Sequence, residues 1–297
     1  MIRGPRIFCS GERVLTVRGG MPESDTKKTS CTITATVVPA QAVQDLIEGG
    51  LRWEMWWRFA VHDIKQRFRR SLIGPLWLTL SMGIMVAALG LVFSTIFQQE
   101  IAGILPYISV GLIVWGFISS CVNEGALVFI SGADYVRNVP MPLSLHVYRM
   151  IARNIIILAF NMTIYLLVLI VFPHPLNFNY LLAVPGFALV LVNVGWVSIA
   201  LAVLSARYRD IPQVVASLLQ VIFFVTPVFW SAQTLPHRPT FILLNPIYHF
   251  LEIVRTPLLG GQPNLTSWAV VLACAVVGST GTVLLYRRAY PRVAYWV

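Results

Sequence analysis

Between Trp53 and Trp77 the chain reads WEMWWRFAVHDIKQRFRRSLIGPLW. At helical spacing Trp53, Trp56, Trp57, Ala60, Val61, Ile64 and Phe68 fall on one stripe, and Arg58, His62, Asp63, Lys65, Gln66, Arg67, Arg69 and Arg70 occupy the other faces. An apolar stripe of this period backed by cations predicts a helix lying in the plane of a membrane interface, with aromatics among acyl chains and guanidinium groups at the headgroups. Gly74 and Pro75 end it, and proline suits the first turn of the helix that follows.

Beyond this point the pattern becomes apolar in long runs. Six of them approach or exceed the roughly 20 residues that a hydrocarbon core requires: Pro75 to Phe97, Pro106 to Ile130, Met150 to Phe172, Tyr180 to Ser205, Pro212 to Trp230 and Ser267 to Tyr286. Two connections are longer than a turn. Ser131 to Arg149 is broken by Pro140 and Pro142. Ser231 to Thr266 is unusually apolar and is cut by Pro236, Pro239, Pro246, Pro257 and Pro263 into pieces too short to cross, which predicts re-entrant or surface-lying helices. The fold class expected is an all-α integral membrane protein. It has six transmembrane helices, an N-terminal amphipathic interface helix and re-entrant outer helices between spans five and six. Residues 1–50 are polar, rich in Thr, Ser and Gly, and lack the apolar core of a secretory signal; a disordered cytoplasmic tail is expected there, with Met21 as an alternative start. Residues 51–74 form the interface helix and 75–297 the membrane domain.

Composition agrees. Of 297 residues 57% are hydrophobic and 11% charged, against roughly 25% charged in a soluble domain; mean hydropathy is +0.74. The net charge of +10 lies at the ends of apolar runs, and anionic headgroups explain it better than nucleic acid, for which no motif is present. Alternate connections carry the bases: the amphipathic segment, Arg137 with Arg149 and Arg153, Arg207 with Arg209, and Arg287, Arg288 and Arg292. This asymmetry predicts both termini on the cytoplasmic side. The four cysteines, Cys9, Cys31, Cys121 and Cys274, are scattered and suggest neither a metal site nor a disulfide.

Chemistry-bearing motifs are few. There is no GxxxxGK[ST], HExxH or GxSxG, so no nucleotide-hydrolysing or catalytic site is indicated. Glu124 is the one acid well inside a span. Its span and the next run antiparallel, so Arg153 should reach the same depth, with Arg149 as the second choice; an ion pair that fixes packing is the expected role. Aromatics such as Phe93, Phe97, Tyr107, Phe172, Tyr180, Phe229, Trp230 and Trp268 gather near one set of span ends, either as an interfacial belt or as a stacking surface for sugar rings. Trp115 and Trp196 lie nearer mid-span. With Tyr107 and Trp230 they are candidates for a channel lining; for Trp115 and Trp196 the competing readings are a lipid-facing position or core packing.

DIKQRFRRSLIGPLW (Asp63 to Trp77), NVPMPLSL (Asn138 to Leu145), RYRDI (Arg207 to Ile211), TPVFW (Thr226 to Trp230) and LNPIYHFLEIVR (Leu244 to Arg255) together resemble ABC type-2 permeases of the polysaccharide, O-antigen, capsule and teichoic acid export family. The resemblance runs from about Arg52 to the C-terminus. It implies a transport permease of the bacterial cytoplasmic membrane, not an enzyme. It further implies a homodimer, a separate ATP-binding subunit that carries ATP and Mg, no cofactor in this chain, and a polyprenyl-diphosphate-linked glycan as cargo. Docking to the ATPase would fall to Asp63, Lys65, Arg67, Asp134, Arg137, His146, Tyr208 and Asp210. Tyr248, Glu252 and Arg255 would belong to an outer gate. Arg67, Arg69 and Arg70 at headgroup level could attract the lipid diphosphate or simply anchor the chain to anionic lipid. Competing readings are an ABC type-2 exporter of a small drug or lipid, a membrane enzyme acting on polyprenyl phosphates and a secondary transporter. For the enzyme the nearest candidate pair is Glu252 with Arg255, whose i,i+3 spacing on a surface helix usually means a weak ion pair.

Overall fold

A computed structural model describes residues 38–133, 141–173, 177–230 and 240–296. The described residues are helical with no strands. Helix α1 (Val38–Leu51) meets α2 (Trp53–Arg67), and after a turn in which Ser71 Oγ accepts from Gly74 N the chain enters α3 (Leu76–Phe97). Then follow α4 (Ile101–Ser131), α5 (Ser144–Val171), a 3-10 turn (Phe178–Leu182) leading into α6 (Ala183–Arg207), α7 (Ile211–Val225), α8 (Thr240–Leu244), α9 (Pro246–Leu258) and α10 (Leu265–Trp296).

Among the described residues five helices are long and apolar enough to cross a membrane: α3, α4, α5, α6 with its leading turn, and α10. At 1.5 Å per residue α3 spans about 33 Å and α4 about 46 Å, against a hydrocarbon core of about 30 Å. The expected fifth span, Pro212 to Trp230, is helical only to Val225, about 22 Å. Thr226 takes an extended backbone (ψ 134°) because it precedes Pro227, whose ring disfavours the helical region for its neighbour and which has no N–H to continue the ladder. Other boundaries shift for similar local reasons. The second span begins at Ile101, with Pro106 buried inside it, and the last runs on to Trp296.

Residues 38–50 are not a tail. They are most of α1, whose Ala42 is fully buried and whose inner face packs on α5 and α10. The amphipathic repeat of this helix (Ala42, Asp45, Leu46, Gly49) is short and contains a charge, which is why composition concealed it.

Helix α4 is the centre of the bundle. Two-thirds of its most apolar window is buried, against 17–39% for the other long helices. Ile108, Ile113, Ile118 and Phe129 are essentially inaccessible. Lipid is as apolar as leucine, so such helices associate through close packing and cross-helix hydrogen bonds. Ser198 Oγ of α6 donates to Cys121 O of α4 at 3.3 Å, and Asn193 Nδ2 donates to Val271 O of α10 at 3.2 Å. At Gly111 a Cβ would lie 2.3 Å from the Val228 carbonyl, so only glycine lets the non-helical stretch after α7 rest on α4.

The apolar segment between the fifth and last apolar runs is also not a surface feature throughout. Asn245 caps α9 by accepting from Ile247 N at 3.0 Å, with Pro246 in the first turn. Phe250, Leu251, Ile253, Val254 and Arg255 are buried against α4, α6 and α10.

Candidate translocation site

A cavity of about 620 Å³ lies among α3, α4, α5 and α7. Its polar lining includes Ser81, Ser119, Asn123, Asn154, Asn161 and Gln220, and its walls include Met82, Trp115 and Phe223. The Trp115 and Phe223 rings are tilted against each other with centroids 5.5 Å apart. No charged side chain lines the cavity among the described residues. Asn161 Oδ1 is buried and finds no donor among them. Hydroxyls and amides beside aromatic faces can exchange hydrogen bonds with a neutral, hydroxyl-rich chain and stack on its C–H faces, while offering an ion no opposite charge.

Of the four aromatics expected at a channel, only Trp115 is found here. Tyr107 and Trp230 sit at the other end of α4, where Tyr107 Oη donates to the Trp230 carbonyl at 3.2 Å. Trp196 packs into α10: a Cβ at Gly278 would lie 2.1 Å from its ring, and its Nε1 donates to Asn193 Oδ1 at 3.0 Å. Trp196 is therefore a helix-packing residue. The amides and hydroxyls escaped sequence reasoning, although their signal was there. Ser119 and Asn123 are four apart, Asn154 and Asn161 seven apart, so each pair marks one helical face.

Below the cavity a charge network joins three helices. Glu124 of α4 accepts from Arg153 Nη2 at 2.8 Å and from Asn154 Nδ2 at 2.6 Å, both on α5. Arg153 Nη1 reaches Asp63 of α2 at 3.3 Å, and Arg149 grips the same carboxylate in a fork through Nε (2.7 Å) and Nη2. The Arg149 guanidinium also lies over the Phe59 ring at 5.4 Å. Two anions meet two cations, so the cluster is neutral as a unit. The Asp63 side chain is only 10% exposed. It was expected on a docking face and instead faces the bundle, because α2 turns its Asp63 edge toward the α5 arginines. His146 is likewise buried at 5% exposure. Lys65, Arg67, Arg69, Arg70, Tyr208 and Asp210 are exposed. Asp134 and Arg137 lie outside the described residues.

Because Asp63 and Arg149 share one forked contact, their removal should not be additive. Asp63→Asn and Arg149→Met are each expected to cost about 2 kcal/mol, and the double variant less than their sum by about 1 kcal/mol or more. Unfolding midpoints of the purified chain in detergent read this directly; additivity within about 0.5 kcal/mol would deny the pairing.

At the opposite end of α4, Tyr107 lies 17 residues before Glu124, about 26 Å along the axis. There the Arg255 guanidinium of α9 is buried, with Arg255 1% exposed. Its Nη1 donates to the Pro227 carbonyl at 2.8 Å, its Nη2 to Glu252 at 3.2 Å, and it lies 4.0 Å from the Tyr107 ring centroid. Glu252 and Arg255, expected as a weak surface pair, thus form the core of a cluster that holds the break after α7. Asn245 Nδ2 adds a bond to Thr226 Oγ1 at 2.8 Å. Tyr248 is half-buried beside His249, ring centroids 5.2 Å apart, and His249 bridges Leu243 O and Ser267 Oγ.

The helical bundle thus carries an uncharged cavity and, at one end, a charged network. The model of the ABC-2 type transporter family matches residues 54–259, and the chain belongs to that family. Among relatives, it is 23% identical over 188 residues to the "O-antigen export system permease protein RfbA" of Myxococcus xanthus, covering 62% of this chain and 72% of that one. To the protein of the same description from Klebsiella pneumoniae it is 22% identical over 209 residues, covering 68% and 79%.

Proposed function

We propose that this chain is the membrane subunit of an ATP-driven exporter that moves a polyprenyl-diphosphate-linked polysaccharide of the O-antigen type across the bacterial cytoplasmic membrane. The observation that carries the reading is the cavity among α3, α4, α5 and α7, with its uncharged amide and hydroxyl lining and its Trp115–Phe223 wall. A glycan chain is neutral, hydroxyl-rich and amphipathic at each ring, and this lining matches it. The family membership and the names of the relatives support the same class of cargo. The anionic diphosphate would meet the exposed Arg67, Arg69 and Arg70 outside the cavity, where water and headgroups screen the charge.

ATP hydrolysis would come from a separate ATP-binding subunit carrying ATP and Mg, docked on the end of the bundle bearing α2 and the connection that ends at Leu143. Two copies of the chain would enclose the path, with both termini in the cytoplasm. The lining is specific enough to test by what it retains. Purification with the ATP-binding partner, followed by mass spectrometry of the copurified lipid fraction, should yield polyprenyl-diphosphate glycan. Recovery of a small amphipathic lipid alone would favour an exporter of lipids.

A further inference from the structure

Asp45 lies on α1, before the residues that match the family, and is 5% exposed. Its carboxylate accepts four hydrogen bonds: from Leu143 N (2.8 Å), Ser144 N (3.0 Å), Tyr286 Oη (2.8 Å) and Tyr290 Oη (3.3 Å). Its backbone carbonyl accepts a fifth, from Ser144 Oγ at 2.7 Å. A carboxylate has about four lone-pair sites, so this one is filled.

The geometry has a local cause. The first N–H groups of a helix lack partners and favour negative charge. At α5 the capping position holds Leu143, which has no side-chain acceptor, and no cap bond forms from it. Asp45 supplies the cap from 98 residues away. The approach is close: at Gly49 a Cβ would lie 2.1 Å from Ser144 Oγ. Tyr148 Oη of α5 adds a bond to Leu46 O at 3.1 Å. On the other side Tyr286 and Tyr290, four apart on α10, present one face to the same carboxylate, with rings 5.5 Å apart. Helix α10 packs mainly on α6, α9 and α1, whereas α1 packs on both α5 and α10. The route from the start of α5 to the end of α10 therefore passes through α1, and Asp45 is its polar pin.

We propose that Asp45 is a positioning residue of the transport cycle, joining α1, the first turn of α5 and the end of α10 into one body so that a push on the connection ending at Leu143 moves α10 together with α5. The inference rests on the proposed function, because the push is that of the ATP-binding partner. Without the pin α5 still moves, but α10 lags, and hydrolysis no longer drives full export.

The test uses the full chain with its ATP-binding partner in proteoliposomes, loaded with undecaprenyl-diphosphate-linked O-polysaccharide. ATP hydrolysis and glycan export are measured in the same preparation. Tyr286→Phe with Tyr290→Phe removes only the α10 half of the pin. Asp45→Asn keeps the shape but turns an amide donor toward a backbone N–H. In both variants export per ATP should fall at least fivefold while hydrolysis stays within twofold of wild type. If Asp45→Asn fails to accumulate, the tyrosine pair decides. A ratio equal to wild type, including a case where both rates fall together, would overturn the inference and leave a purely architectural role. Wild-type complex without nucleotide-dependent export would instead remove the proposed function, and this inference with it.

Discussion

Arg255→Ala is expected to lower the stability of the chain by about 3–5 kcal/mol, the range for breaking a buried charge cluster by removing one partner. Three losses combine. The Pro227 carbonyl is left without its donor, Glu252 without its cation, and the Tyr107 face without the guanidinium 4.0 Å away. An orphaned buried carbonyl alone costs about 1–3 kcal/mol. Arg255→Lys should recover only part of this. A lysine ammonium is a point charge on a flexible stem and cannot serve a carbonyl and a carboxylate while also laying a flat cationic face on a ring, as guanidinium does. Glu252→Gln should be milder, since the Glu252 side chain is 23% exposed and also accepts from Thr256 Oγ1 at 2.9 Å. The ordering Ala, then Lys, then Gln in unfolding midpoint is the signature of a cluster organised around the arginine. A change below about 0.5 kcal/mol for Arg255→Ala would mean that the break after α7 is held by packing alone.

The second large effect is functional. Gly116 lines the cavity, and a Cβ there would meet only the Met82 terminal methyl at 3.5 Å, an ordinary contact. Gly116→Ala should therefore export normally. Gly116→Trp would put an indole into the space among Trp115, Asn123 and Phe223, and export should fall tenfold or more, equivalent to about 1.4 kcal/mol or more at the limiting step. Hydrolysis by the partner should persist, because the change lies away from the charge network of Asp63, Arg149, Arg153 and Glu124. Unimpaired export in Gly116→Trp would place the path elsewhere.

Much of this arrangement was readable from the chain. Apolar runs located each of the five long helices among the described residues, since about 20 residues of hydrocarbon leave few alternatives. The approach of Arg153 to Glu124 followed from depth alone, because antiparallel neighbours place residues equally far from their shared end at one level. What escaped was set by contacts between remote residues. Asp45 meets Tyr286 across 241 positions, and nothing local to either residue announces it. Trp115 and Trp196 look alike in sequence, yet one faces a cavity and the other fills a gap opposite Gly278, a difference that depends on which helix lies alongside. Arg255 has the surface-pair spacing of an ordinary exposed helix; its burial comes from α9 packing on α4, α6 and α10, and its carbonyl partner from the proline-induced break at Thr226–Pro227. Asp63 shows the same limit. Its place on the polar face of α2 was legible, but that face divides between solvent and the arginines of α5.

The most direct measurement is of movement itself. The purified chain and its ATP-binding partner, reconstituted in proteoliposomes with undecaprenyl-diphosphate-linked O-polysaccharide, should carry glycan across the bilayer when ATP and Mg are supplied, and should stop when either the partner or the nucleotide is left out. Glycan that crosses just as fast with this chain alone, or that stays in place while the complete pair hydrolyses ATP, would contradict that role.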